Sequence, residues 1–431
     1  MGRNTNSHRI VRIFTYIMVL LASMDIFRYY FTLYLRGISF YAVLAIIVFI
    51  VFSNYKNIKL TRLHHKQKMF FTIWAFIYII VNQIFANYKY SNIVMGIDFN
   101  IFTIQTIQVI CVVIAYSFID TLKDINLKVN IIKIILFSLV IDAITTLLAL
   151  TIDPNISKIM ATASANSNLE GLKGVSGYSI IYSLVIIVPM LLYSIKELKT
   201  KSRLFLQLFT LLMMYFIFKS AYATALIALV LGIVVYLFLN TSKIFKVLLL
   251  PFILYLAVIL INPNSIYDIL IYLSDKIEIH QISIRFNQLA DLILYGDNSG
   301  DALYRLVLYR QSIDAFMQYP LTGIIIYNPN YALSGHSAFL DILGGIGLLG
   351  FIPYVLFLWY SYKISINKTE HRKLKNAIRT SYIVFCFIGS INTLATSLTI
   401  MLFLLFFVSW YPVFVEDIKF KQNNGNIKLS L

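Results

Sequence analysis

Twelve strongly apolar stretches, separated by short polar segments, run through this 431-residue chain. A membrane hydrocarbon core about 30 Å thick needs about 20 apolar residues to cross it as a helix, and most of the stretches approach that length. A share of 59% hydrophobic residues against 13% charged residues does not suit a water-exposed surface. The pattern predicts an all-α, polytopic membrane protein with about 12 transmembrane helices, which form a single transmembrane domain over residues 1–431. The predicted spans are Ile13–Leu35, Ile38–Ser53, Met69–Asn87, Ile97–Ile119, Ile131–Ile152, Tyr178–Ile195, Leu204–Phe218, Ala221–Asn240, Val247–Asn262, His336–Tyr362, Ser381–Ala395 and Ser397–Phe414.

Positive charge alternates between the connections on the two sides of these spans. Most of the 36 lysine and arginine residues fall on every second connection, and cytoplasmic connections retain positive charge. This alternation predicts a multi-pass protein of the plasma membrane with both termini in the cytoplasm. The net charge of +17 is therefore a topology signal, and no nucleic-acid partner is expected. Membrane lipids with anionic headgroups are the expected partners of the basic connections Asn54–Lys68 and Lys363–Arg379.

Two predicted extracytoplasmic loops are long enough to carry a functional site. The smaller loop, residues 153–177, contains Glu170 and Lys173, which belong either to a binding site or to a flexible outer turn. The large loop, residues 263–335, lies between the ninth and tenth predicted helices. Apolar residues at helical spacing predict helices at the outer membrane interface. They cover Ser265–Leu273, Ile284–Tyr295 and Ala302–Tyr319.

Several polar residues fall inside the predicted spans: Asp25, Asp98, Gln105, Gln108, Asp142 and Asn392. An ionisable group in hydrocarbon is costly unless it is paired or faces a water-filled cavity. Asp142 stands near the middle of its span, so it either lines a proton or substrate cavity or pairs with a neighbouring helix. Cys111 and Cys386 lie within spans without metal-ligand spacing, which favours packing roles and predicts no metal site. We find no phosphate-binding loop and no dinucleotide fingerprint, and we expect no cofactor.

The most specific motif stands where the large loop enters a glycine-rich span. His336 is followed by a small polar residue, Ser337, by the apolar pair Phe339-Leu340, and by Gly347 and Gly350. Upstream, Arg305 and the aromatic Tyr309 precede the segment Pro320-Leu321-Thr322-Gly323. This arrangement resembles the O-antigen polymerase and ligase family, in which an asparagine is commoner at the position of Ser337. The helix pair joined at Lys219-Ser220 also resembles the broken helix of that family, with Lys219 supplying the positive charge of the usual arginine.

The resemblance implies glycosyl transfer at the outer face of the plasma membrane, with undecaprenyl-diphosphate-linked oligosaccharide as donor and acceptor. The product would be capsule, exopolysaccharide or O-antigen. Other polysaccharide assembly proteins, such as a flippase and a chain-length regulator, are the implied partners. The reaction needs a proton acceptor and cations for the departing diphosphate.

His336 and Arg305 are the predicted catalytic residues, and the alternatives are an interfacial histidine that caps a helix and a solvated loop charge. The predicted substrate-binding residues are Arg285, Arg310, Lys219, Lys173 and Glu170. Since the large loop is net acidic, any anion site must be local. Two other functions stay open: a lipid-linked oligosaccharide flippase or transporter, and a ligase that moves finished glycan to a different acceptor.

Overall fold

The fold was examined in a computed structural model of the chain. The residues described are 5–34, 60–86, 91–94, 97–122, 124–152, 156, 175–198, 200–220, 222–242, 263–276, 283–284, 286–287, 290–291, 301–328, 331 and 336–423.

Helices make up nearly all of the described chain, which confirms its predicted helical character. The first half contains α1 (Thr5–Ser23), α2 (Asp25–Tyr34), α3 (Arg62–Ile80), α4 (Ile101–Thr121), α5 (Ile125–Ile152), α6 (Tyr178–Glu197), α7 (Thr200–Lys219) and α8 (Ala223–Asn240). The second half contains α9 (Pro263–Lys276), α10 (Asp301–Gln318), α11 (Ala338–Ile366), α12 (Arg372–Ile391), α13 (Leu398–Leu402) and α14 (Val408–Asn423). Two π-helical turns, Val81–Phe85 and Phe403–Phe407, continue α3 and join α13 to α14.

Seven of the described helical segments are long and apolar enough to cross a membrane, and two shorter apolar helices accompany them. The structure is thus consistent with a polytopic membrane protein. The count of twelve spans stays a prediction, because the expected spans Ile38–Ser53 and Val247–Asn262 lie outside the described residues. In the large loop, α9 and α10 occupy the positions of two helices expected from apolar spacing. Most of the third, Ile284–Tyr295, lies outside the described residues.

One short ribbon departs from the all-α expectation. Strand β1 (Ser91–Val94) pairs antiparallel with strand β2 (Ile97–Asn100), in a stretch where the sequence predicts a helix from Ile97. The helix begins later because the Asn100 side chain accepts a hydrogen bond from the Phe102 backbone N–H at 2.9 Å and so caps α4. The strand residues satisfy their backbone groups by pairing with each other instead.

The first predicted span, Ile13–Leu35, is divided by the structure at Met24. The two carboxylate oxygens of Asp142 on α5 each lie 3.2 Å from the Asp25 backbone N–H, at the start of α2. An acceptor at a helix N-terminus satisfies a donor that has no partner within the helix. The sequence left two roles open for Asp142, and this contact corresponds to the second, pairing with a neighbouring helix.

The helices end in two polar regions, one of them rich in basic residues. There a carboxylate oxygen of the buried Asp120 lies 2.8 Å from the His64 Nε2. The same carboxylate also contacts the Lys368 ammonium and the Trp410 indole N–H. Glu197 pairs with Lys373 at 3.1 Å. We call this region, with Asp120 and Glu197 at its centre, the basic end.

The opposite ends of the same helices form the site end, which contains Asn100, Gly177, Ser337 and Asn392. The charge alternation predicts that the basic end faces the cytoplasm and the site end the exterior.

Candidate functional site

His336 is held just before α11 by the residues that start this helix. The Ser337 side chain accepts a hydrogen bond from the Leu340 backbone N–H at 3.2 Å, which makes Ser337 the N-cap. The Ala338 backbone N–H donates to the Asn392 carbonyl oxygen at 3.0 Å. His336 is half-buried and stands just outside the cap, so its position is fixed by two neighbouring segments.

Tyr309 connects α10 to this histidine. Its hydroxyl lies 3.2 Å from the His336 carbonyl oxygen and 3.1 Å from the Ile391 carbonyl oxygen, and it can donate its single hydrogen to either. Burial raises the pKa of Tyr309, the nearby carboxylate of Asp341 raises it further, and the positive charge of Arg305 opposes both. The hydroxyl therefore stays protonated and available as a donor at neutral pH.

Arg305 stands one helical turn before Tyr309 and on the same face of α10. It is half-buried, and its charge acts on Tyr309 and on Tyr182 of α6. The Tyr182 ring stacks on Tyr178, with centroids 5.7 Å apart, and Tyr178 packs on Tyr222 at 4.2 Å. The Arg305 guanidinium, a group of tyrosine rings and the backbone of His336 are thus linked through Tyr309 at the site end.

The Pro-Leu-x-Gly motif and the glycine-rich motif form one interlocked unit in the structure. The turn over Pro320–Gly323 and the two residues after it make backbone hydrogen bonds to α11. Leu348 and Leu349 donate to the carbonyl oxygens of Pro320 and Leu321, at 2.9 and 3.1 Å. Ile324 and Ile325 donate to the carbonyl oxygens of Gly344 and Gly345, at 2.9 and 3.3 Å. These bonds fasten the C-terminal end of α10 to the middle of α11.

Glycine is required where the two backbones approach this closely. At Gly347 the helix α11 is broken by a φ of 62° and a ψ of −163°, and a Cβ there would lie 2.4 Å from the Leu321 carbonyl oxygen. A Cβ on Gly323, whose φ is 72°, would lie 2.2 Å from the backbone of Gly345. Side chains are excluded from both positions by geometry and by close contact. The glycines therefore hold α10, and with it Arg305 and Tyr309, against the helix that begins after His336.

A polar cavity of about 410 Å³ opens at the site end beside this unit. Its polar lining comes from α2, α4, α6, the segment after α12 and the start of α13, and includes Arg28, Gln105, Gln108, Ser179, Thr396 and Thr399. The Arg28 guanidinium pairs with Asp25 and lies 3.5 Å from the Thr399 hydroxyl. Arg28 was not among the residues predicted from sequence. An arginine inside an apolar span was the available signal, because such a charge is costly without a functional or structural partner.

One segment is shared by the cavity and the His336 region. Residues 393–399 contribute to the cavity wall, while Ile391 and Asn392 directly before them contact Tyr309 and Ala338. Two predicted in-span residues, Gln105 and Gln108, line the cavity, and the Asn392 side-chain nitrogen is buried without a hydrogen-bond partner among the described residues.

The other predicted binding residues stand apart from this cluster or beyond the described chain. Lys219 ends α7 with an exposed side chain, whose Nζ lies 5.8 Å from the centroid of the Tyr215 ring. The Arg310 side chain is 85% exposed, with its Nε 4.0 Å from a carboxylate oxygen of Asp314. Five residues along a helix correspond to a rotation of about 140° from Arg305, so the two guanidinium groups project from different faces. Arg285, Glu170 and Lys173 lie outside the described residues.

Within the described part of the chain, no group of three or more histidine, cysteine or acidic residues is arranged to hold a metal ion. In a comparison with known proteins, residues 208–355 match the family model for O-antigen ligase. The matched segment contains Arg305, Tyr309, His336 and both interlocked motifs. No curated protein matches the chain.

Proposed function

We propose that this chain, which residues 208–355 assign to the O-antigen polymerase and ligase family, is a polysaccharide polymerase. It would transfer undecaprenyl-diphosphate-linked glycan onto a lipid-linked repeat unit at the outer face of the plasma membrane. Capsule, exopolysaccharide or O-antigen would be the product. The observation that carries the proposal is the meeting of Arg305, Tyr309 and His336 at one end of the helices, in the matched segment.

The proposed reaction replaces one bond at the anomeric carbon by another. A hydroxyl oxygen of the acceptor sugar bonds to the anomeric carbon of the donor, and the bond from that carbon to the diphosphate oxygen breaks. His336 accepts the hydroxyl proton, since an imidazole exchanges protons near neutral pH. Arg305 stabilises the charge of the departing lipid diphosphate, because a guanidinium offers paired donors to phosphate oxygens. The diphosphate-linked sugar is already activated, so the transfer needs no nucleotide.

The remaining predicted residues enter the proposal as substrate contacts. Lys219 lies at the end of α7, three residues before Tyr222, whose ring packs on Tyr178 near Arg305. Arg310 is exposed, so a contribution to diphosphate binding would be made from the surface of α10. Arg285, Lys173 and Glu170 stay candidates from sequence alone. Membrane lipids, a flippase and a chain-length regulator are the proposed partners.

The test is polymerisation by the purified chain in lipid nanodiscs, with lipid-linked repeat units as the only substrate. We expect wild type to make long glycan. Removal of one charge-stabilising donor costs about 100-fold or more in rate, and loss of a general base a similar factor. Arg305→Ala and His336→Ala should therefore fold, insert and fail to extend the glycan. Arg310→Ala is the matched comparison on the same helix, and its exposed side chain predicts a smaller loss. Normal chain lengths from Arg305→Ala or His336→Ala would remove that residue from the mechanism.

A ligase reaction is the second candidate, and the O-antigen ligase description of the family match favours it. The donor and the diphosphate leaving group are the same in both reactions, so the acceptor separates them. Transfer only to an acceptor without a lipid diphosphate would identify a ligase. Deletion of the gene distinguishes a glycosyl-transfer function from a flippase. Single lipid-linked repeats should accumulate on the outer leaflet if polymerisation is lost, and on the inner leaflet if flipping is lost.

A further inference from the structure

The polar cavity beside Arg28 is close enough to the proposed reaction centre to take part in substrate binding. Its wall is formed in part by residues 393–399, and the two preceding residues contact Tyr309 and the start of α11. Its volume of about 410 Å³ falls within the range of small-molecule sites, which is about 300–1,000 Å³.

Side chains that both donate and accept hydrogen bonds dominate the polar lining. Gln105 and Gln108 present amides, and Ser179, Thr393 and Thr399 present hydroxyls. Each of these groups can donate to one oxygen and accept from another. Sugar hydroxyls have the same double character, so a sugar ring can satisfy such a lining on several sides.

The charges around the cavity do not favour a diphosphate. Arg28 is the cation of the lining, and its guanidinium already pairs with the carboxylate of Asp25. An additional anion would have to displace Asp25 from the Arg28 guanidinium. An uncharged ligand does not meet this penalty.

Gln105 of the lining is held in one orientation. The Thr396 hydroxyl donates to the Gln105 Oε1 at 2.8 Å, which leaves the amide nitrogen as the donor side. The hydroxyls of Ser397 and Ser179 lie 3.2 Å apart and connect the same segment to α6. A lining fixed in this way loses little freedom when a ligand binds.

We infer that the cavity lined by Arg28, Gln105 and Gln108 is a subsite for uncharged sugar rings of the repeat unit, separate from the diphosphate contacts at Arg305. That the bound sugar belongs to the growing polymer rests on the proposed function. The binding of sugar to the cavity does not depend on the proposed function, so the subsite and the proposed function can be tested separately.

The experiment measures binding of oligosaccharides to the full chain in nanodiscs, by isothermal titration calorimetry. The probes are oligosaccharides of one to three repeat units, prepared by partial hydrolysis of the surface polysaccharide of the producing cell, and inorganic diphosphate as competitor. We expect wild type to bind the oligosaccharide and Gln105→Leu to bind about tenfold more weakly, because an amide hydrogen bond is lost and its partner is left unsatisfied. Gln108→Leu is the second variant, in case the first does not fold. Gln207→Leu, the same change on α7 and outside the cavity, should bind like wild type.

Each outcome decides the inference. Weakened binding in the cavity variants, with no competition from diphosphate, supports a neutral sugar subsite. Absence of binding by wild type, unchanged binding in folded Gln105→Leu and Gln108→Leu, or displacement of the sugar by diphosphate would overturn it. Sugar binding that persists in a chain unable to polymerise would overturn the proposed function alone.

Discussion

The interlock between the Pro320–Gly323 turn and α11 makes a sharp prediction for Gly347→Ala. The φ of 62° and ψ of −163° at this position belong to a region that only glycine adopts readily, and a side chain there costs about 1–3 kcal/mol. The new Cβ would also lie 2.4 Å from the Leu321 carbonyl oxygen, so the turn must move away. That movement breaks the hydrogen bonds donated by Leu348 and Leu349, each worth about 0.5–1.5 kcal/mol. Together these contributions give a destabilisation of about 2–6 kcal/mol.

The loss should be visible in both stability and activity. The free energy of unfolding can be followed by titration with SDS in mixed micelles, with tryptophan fluorescence as the signal. We expect Gly347→Ala to unfold at lower SDS and to make only short glycan, because the turn that fastens α10 also positions Arg305 and Tyr309.

Gly389→Ala is the matched control. Gly389 is buried in α12 near the same end, and a Cβ there would lie 3.2 Å from the Phe339 ring, which needs to shift by only a few tenths of an ångström. Alanine is favoured over glycine inside a helix by about 0.5–1 kcal/mol, so this variant should stay near wild type. If Gly347→Ala loses less than about 1 kcal/mol and still makes glycan of normal length, the interlock does not position the site.

Three further predictions concern the two ends of the helices. Asp120→Asn should destabilise the chain by about 3–5 kcal/mol, because it removes the buried carboxylate that pairs with the half-buried Lys368. Asp120→Asn combined with Lys368→Met should recover part of the loss in the SDS titration. Tyr309→Phe should lower the free energy of unfolding by about 1 kcal/mol at neutral pH. Because the pKa of Tyr309 is raised in the folded state, the difference from wild type should hold below about pH 10 and shrink as the pH rises through the folded pKa. A difference that grows with pH would contradict the reasoning. Ser337→Ala should cost about 0.5–2 kcal/mol through loss of the cap on the Leu340 N–H, whereas Ser337→Thr keeps the acceptor and should cost less in the same titration.

The tyrosine pH prediction follows from proton linkage. A group whose folded pKa lies above its unfolded value stabilises the folded state fully below the unfolded pKa and loses that effect as pH rises through the folded pKa. The Tyr309 hydroxyl can donate its hydrogen to the carbonyl oxygen of His336 or of Ile391, so the protonated form is the one that the structure uses.

The amino-acid sequence by itself determined the helical architecture, and it singled out Arg305 and His336, which both lie at the site end. The thickness of the hydrocarbon core and the rise per residue set the number of apolar residues that a spanning helix needs. The length of an apolar stretch therefore predicts a helix without knowledge of the other helices that pack against it. The predicted span Tyr178–Ile195 and the observed helix Tyr178–Glu197 illustrate how close that prediction comes. The motif around His336 and the turn after α10 were also visible, because the residues of each motif are neighbours in the chain.

Contacts between distant residues were decided only by the tertiary structure. The hydrogen bond from Thr396 to Gln105 joins residues 291 positions apart, and Arg28 and Thr399 are separated by 371. Nothing in the local sequence of either partner specifies the other, so the residues that line this cavity together could not be predicted. The Pro-Leu-x-Gly motif and the glycine-rich motif were also separate features in the sequence. They pack as one unit because their backbones approach within hydrogen-bonding distance. A pattern of apolar lengths fixes where helices form, while the packing of their side chains and backbones fixes which polar groups meet.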